Sequence, residues 1–193
     1  MPGIGDNPIA FQEAGFFDDP DATFDTLVVD SHFAYYKEKK LIERVYLDII
    51  KPATTKYTKI TLLGISLGGY GALSIAQKYP QSIDQIILFS PFLGDLSLVD
   101  EIKTQGGLDK WYLTQQNNTN LGFGDNAWLF LQQLISSSEI KIILAYGKQD
   151  KFSSAADLLA LNLPKNLTIR VKGKHNWATW SKLWRKLLKE DFL

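Results

Sequence analysis

The stretch KITLLGISLGGYGAL, residues 59–73, constrains the fold more than any other part of the chain. It joins a short apolar run with β character to a run of small residues with helical spacing. Ser66 stands at the junction, with Gly64 and Gly68 two positions away on either side. The pattern G-x-S-x-G places a serine on a sharp strand-to-helix turn. Its hydroxyl is projected from a strained backbone, and side chains at the two glycine positions would collide as strand and helix close together. The helix that follows aims its unpaired N–H groups at the turn, which favours negative charge developing there.

The rest of the chain repeats this rhythm. Strands are predicted at 26–30, 59–64, 84–89, 140–146 and 167–171. Helical spacing marks 38–50, closed by Pro52, then 68–78, closed by Pro80, then 155–161 and 177–188. Strands alternating with helices imply βαβ units and a mostly parallel sheet covered on both faces. About fifty residues, 91–139, interrupt the rhythm without a clear strand. They contain GGLDKWYL and DNAWLFLQQLI, which read as short helices forming a small cap-like insertion over the strand ends. No repeat or linker divides the chain, so residues 1–193 read as one domain.

Composition removes several function classes. Lys and Arg number 21 and so do Asp and Glu, which leaves no basic field for nucleic acid. Cysteine is absent, which excludes disulfides and thiolate metal sites. Two histidines, His32 and His175, are too few for a histidine-rich zinc site. No apolar run approaches the roughly 20 residues of a membrane helix. The N-terminus, MPGIGDNP, has neither the basic start nor the apolar core of a signal peptide. As written, the chain reads as cytoplasmic, with no membrane or nucleic-acid partner and no cofactor or metal.

A serine needs a base, and the base needs an orienting acid. In a fold of this kind the order along the chain is serine, acid, histidine. His175, in VKGKHNWATW after the last strand, obeys that order, and His32 does not. Asp150, in LAYGKQD, closes the loop after the fourth predicted strand and is the preferred acid. Asp95, in SPFLGD, is the alternative.

Together GISLGGYGAL, AYGKQD and GKHNWATW resemble the serine α/β-hydrolases, near their carboxylesterase branch, over almost the whole chain. The resemblance implies a three-layer α/β-hydrolase fold of about five recognisable strands. It implies cleavage of a small-molecule carboxylic ester through an acyl-enzyme, with Ser66, Asp150 and His175 as the triad. The same triad serves thioesterases and acyltransferases, and an inactive, truncated hydrolase fold acting as a binding module is the non-enzymatic alternative. The resemblance also gives PGIGD a role: the N–H groups of Ile4 and Leu67 become the oxyanion donors. Trp111, Trp128 and Phe92, with Phe130, are candidate pocket residues, with simple core packing of Trp111, Trp128 and Phe130 as the alternative. The family further implies a strand before PGIGD, lying between 26–30 and 59–64, for which the sequence holds no residues ahead of Met1.

Overall fold

The computed structural model describes residues 1–30, 40–190 and 192–193. Four strands form one sheet: β1 (Thr61–Ile65), β2 (Gln85–Phe89), β3 (Lys141–Gly147) and β4 (Thr168–Val171). They lie in chain order, every neighbour parallel, with Ile65 opposite Phe89 and Phe89 opposite Ala145. Parallel neighbours put the carboxyl ends of all four strands on one edge, where ligands gather in open α/β sheets.

Along β2 the side chains alternate between two cores. Ile86 and Leu88 face the larger core, and Ile87 and Phe89 face the smaller. The larger core is covered by α3 (Leu67–Lys78), α4 (Leu96–Thr104), α5 (Leu108–Gln115), α6 (Phe123–Ser137) and α7 (Ser153–Ala160). The smaller is covered by α8 (Trp177–Lys189) and, from the N-terminal region, by α1 (Pro8–Glu13) and Phe16. α8 presents Trp180, Leu183, Trp184 and Leu187 to the sheet, a stripe at helical spacing, and Phe16 stacks on Trp184 at 4.8 Å.

Two sequence expectations are corrected. Residues 26–30 form no strand, although Val28 and Val29 are half-buried against the two cores. A strand needs a ladder, and none of the four strands pairs with this segment; the edge of β1 away from β2 carries Met1. There Met1 donates its amino group to the Leu63 carbonyl at 2.5 Å and accepts the Ile65 N–H at 3.1 Å. The segment after 40 also runs past its expected end. α2 (Leu41–Val45) widens into a π-turn over Tyr46–Ile50 and continues through Lys51–Ala53, with Pro52 inside it. Pro52 falls in the first turn after the π segment, where its missing N–H costs least. The expected start of this helix at 38 lies outside the described residues, as does His32.

The segment 91–139 carries α4, α5 and α6 between β2 and β3. Its apolar residues Val99, Ile102, Trp128 and Leu131 belong to the larger core, continuous with α3. Among the described residues, no helix is long and apolar enough to cross a membrane.

Candidate active site

Ser66 occupies the turn between β1 and α3 with φ 54° and ψ −117°, a left-handed backbone that a non-glycine residue rarely adopts. The turn is held from three sides. The Ser66 N–H donates to the Phe89 carbonyl at 2.9 Å, and the Ser66 carbonyl accepts from Gly69 and Phe92, both at 3.0 Å. The two flanking glycines are required for different reasons. A Cβ at Gly64 would stand 2.3 Å from the Gly68 carbonyl oxygen, inside the turn itself. A Cβ at Gly68 would stand 2.2 Å from the Met1 oxygen and 2.5 Å from that of Pro2, so glycine there admits the N-terminal loop.

The loops after β3 and β4 bring the other two residues to the same edge. Asp150 closes a turn on the Gly147 carbonyl, and its Oδ1 accepts the Phe152 N–H at 2.8 Å. Gln149 ties this loop to the next one: its N–H donates to the Gly173 carbonyl at 2.9 Å, and its Oε1 accepts the Gly173 N–H at 2.7 Å. His175 follows, and Asn176 caps α8 by accepting from Thr179 N–H at 3.1 Å.

Ser66, His175 and Asp150 meet. Ser66 Oγ lies 3.1 Å from His175 Nε2, and His175 Nδ1 lies 2.9 Å from Asp150 Oδ2 and 3.0 Å from Oδ1. An ionised carboxylate only accepts, so Nδ1 carries the ring proton and Nε2 accepts from the serine hydroxyl. Burial of Asp150 favours its neutral form, but hydrogen bonds from His175, the Phe152 N–H and Ser90 outweigh that and hold the carboxyl below its ordinary value. Ser90 is fully buried and accepts from Trp180 Nε1 at 3.2 Å. Phe152 and Trp180 pack edge-on against the imidazole at 4.9 and 5.1 Å between ring centres.

The alternative acid, Asp95, does not reach this cluster. It caps α4, accepting from Leu98 N–H at 3.1 Å and from Ser97 Oγ at 2.7 Å. Leu67 is the first residue of α3, and Ile4 lies within the Gly3–Asp6 turn. Neither N–H donates to a protein acceptor among the described residues. Gly3 packs on Ser66: a Cβ there would touch Ser66 Cβ at 3.3 Å.

The candidate pocket residues divide. Phe92 is half-buried beside the site, its ring 5.4 Å from that of Phe152. Trp111 and Trp128 are corrected to core residues: both are fully buried, with their N–H groups on Glu101 at 2.9 Å and on the Leu93 carbonyl at 2.8 Å. Phe130 packs on Tyr70 of α3, with ring centres 6.3 Å apart. A mainly apolar cavity of about 440 Å³ opens at the carboxyl edge instead, lined by Gly94, Leu96, Val99, Lys151, Phe152 and others. Phe152 is the wall it shares with His175. Among the described residues, no three His, Cys, Asp or Glu side chains converge to hold a metal ion.

Gln149, Ser90, Asn176, Phe152 and the Asp6–Trp177 pair escape sequence reasoning. Phe152 had one usable signal, its place two residues after the acid.

Solved structures share this architecture. A fluorophosphonate-binding serine hydrolase F of Staphylococcus aureus, solved with substrate bound, aligns with TM-score 0.55 and 16% identity over 98% of this chain and 80% of its own. A monoacylglycerol lipase of Paleococcus ferrophilus aligns at 0.54 and 14%, covering 99% and 93% of the two chains. A lipase-esterase related protein of Clostridium acetobutylicum aligns at 0.51 and 14%, covering 98% and 90%. At such identities the likeness establishes the α/β-hydrolase fold. No curated protein is significantly similar in sequence. The model of the family described as "Putative esterase" matches residues 30–192, most of the chain, and the protein belongs to that family.

Proposed function

We propose that the protein hydrolyses carboxylic esters with Ser66 as nucleophile, His175 as general base and acid, and Asp150 as the residue that orients the imidazole. The observation that carries this reading is the unbroken hydrogen-bonded line from Ser66 Oγ through both ring nitrogens of His175 to Asp150. In the first half-reaction His175 Nε2 takes the hydroxyl proton as Ser66 Oγ attacks the ester carbonyl. The carbonyl oxygen becomes an oxyanion, for which the free N–H groups of Ile4 and Leu67 are the available donors. Collapse expels the alcohol, which receives the proton from Nε2, and leaves Ser66 acylated. Water then repeats the sequence against the acyl-enzyme and returns the free serine. Asp150 stays ionised throughout and stabilises the transient imidazolium. The cavity beside Phe152 is the space available for the apolar part of a substrate.

Treatment with a fluorophosphonate, read by intact mass and peptide mapping beside a thermal melt, tests this reading. Stoichiometric modification of Ser66 is the expected result. A cooperatively folded protein that takes up no label would refute it and leave a binding module on a hydrolase fold.

A further inference from the structure

The Leu67 donor is part of α3 and inherits its rigidity. The Ile4 donor sits on a loop whose own side chain gives it no anchor, since Ile4 is 61% exposed. The next residue, Gly5, has φ 78°, so the loop needs fixing from outside. Part of that comes from Met1 on β1. The other side is closed by a contact spanning almost the whole chain: Trp177 Nε1 donates to Asp6 Oδ1 at 3.0 Å, across 171 positions.

Trp177 is placed to act as a fixed post. It is the first residue of α8, two positions after His175. Its ring packs edge-on against Phe11 at 5.0 Å and against Trp180 at 5.1 Å, and Trp180 in turn contacts the His175 ring. Asp6 ends the turn whose first residue is Gly3, its N–H donating to the Gly3 carbonyl at 3.3 Å. Its other carboxylate oxygen lies near Ser66: a carbon placed on Gly3 would stand 2.9 Å from Asp6 Oδ2 and 3.3 Å from Ser66 Cβ, so the two are no farther apart than the sum of these distances.

We infer that Asp6 and Trp177 form a positioning pair that sets the Ile4 donor in register with the serine and histidine. The inference rests on the ester-hydrolysis reading and deepens it. The charge of Asp6 argues for this role. A carboxylate this close to the nucleophile opposes an oxyanion developing nearby. What benefits the site is the acceptor that holds Trp177, and acceptor and charge are separable by mutation.

Three single variants and one double variant separate them. Asp6→Ala removes acceptor and charge, Trp177→Phe removes the donor but keeps an aromatic ring on Phe11, and Asp6→Asn keeps an acceptor without the charge. Losing a whole oxyanion donor costs about 10²–10³ in kcat, so a displaced one should cost about 10–30-fold. We expect that loss in kcat for Asp6→Ala and Trp177→Phe with KM nearly unchanged, and fluorophosphonate labelling of Ser66 slowed in parallel. The double variant should be no worse than the worse single, because each removes the same contact. Asp6→Asn should match or exceed the wild type. Wild-type labelling at Ser66 with equal rates in Asp6→Ala and Trp177→Phe would overturn the pairing alone. So would additive losses, or an Asp6→Asn as slow as Asp6→Ala. Absence of labelling in the folded wild type would overturn the ester-hydrolysis reading, and the pairing with it.

Discussion

Gly68→Ala is the substitution whose effect can be worked most directly from the structure. The new methyl carbon would lie 2.2 Å from the Met1 oxygen and 2.5 Å from the Pro2 oxygen. Both are backbone atoms, so no side chain can rotate away. Carbon and oxygen rest at roughly 3.3 Å, and the N-terminal loop must retreat by about an ångström. That retreat strains the Met1–Ile65 hydrogen bond, now 3.1 Å. Overpacking of this kind costs about 1–3 kcal/mol, and the lost hydrogen bond adds about 1. Replacing a helical glycine by alanine returns about 1 kcal/mol. The net loss of about 1–3 kcal/mol corresponds to a Tm lower by about 2–12 °C for a chain of this size. On the proposed function the functional effect is larger, because the loop carries the Ile4 N–H proposed as an oxyanion donor. An ångström of misplacement costs about 10²-fold, so kcat/KM for p-nitrophenyl acetate should fall by about that factor. Differential scanning calorimetry and initial rates on the same preparation measure both. A Gly68→Ala protein with wild-type Tm and wild-type kcat/KM would refute the assignment of this glycine to loop approach, and with it the loop's place in the site.

Three shorter predictions concern the cluster itself. Asp150→Asn should lower kcat by up to about 10⁴-fold, the loss that the equivalent change causes in a serine-protease triad, whereas Asp95→Asn should leave kcat unchanged. The reverse pattern would transfer the acid role to Asp95. Because the Asp150 carboxyl is held below its ordinary value, the folded chain resists a proton that the unfolded chain accepts. That contribution to stability is complete above the ordinary aspartate value of about 3.9 and is lost as pH falls through the folded value. Plots of Tm against pH should therefore be flatter for Asp150→Asn than for the wild type on the acid side, and parallel curves would contradict the assignment. Ser66→Gly should abolish labelling yet raise Tm by a few degrees, since glycine adopts the positive φ of this turn without the roughly 1 kcal/mol strain. A lower Tm would mean that the serine hydroxyl stabilises the turn more than its backbone strains it.

What the sequence made legible was the arrangement that depends on local order. The elbow could be read because its constraints fall within five residues, and the alternation of strands and helices implied one edge on which their loops converge. The meeting of Ser66, Asp150 and His175 follows from that geometry, since each lies just after a strand that ends there. Residues 26–30 misled because β character in VV measures apolarity, while a strand requires a partner, and none of the four strands pairs with this segment. Trp111 and Trp128 misled for a related reason: an indole reads the same whether it lines a cavity or fills a core. Only its N–H partner, Glu101 in one case and the Leu93 carbonyl in the other, decides. Asp6 and Trp177 were illegible in a deeper sense. Each looks like a surface residue next to a helix start, and their pairing arises only when the N-terminal loop and the start of α8 meet near Ser66. The N-terminal loop therefore belongs to the site through its contacts with β1, Ser66 and α8. Its substitutions should be judged by rate before stability.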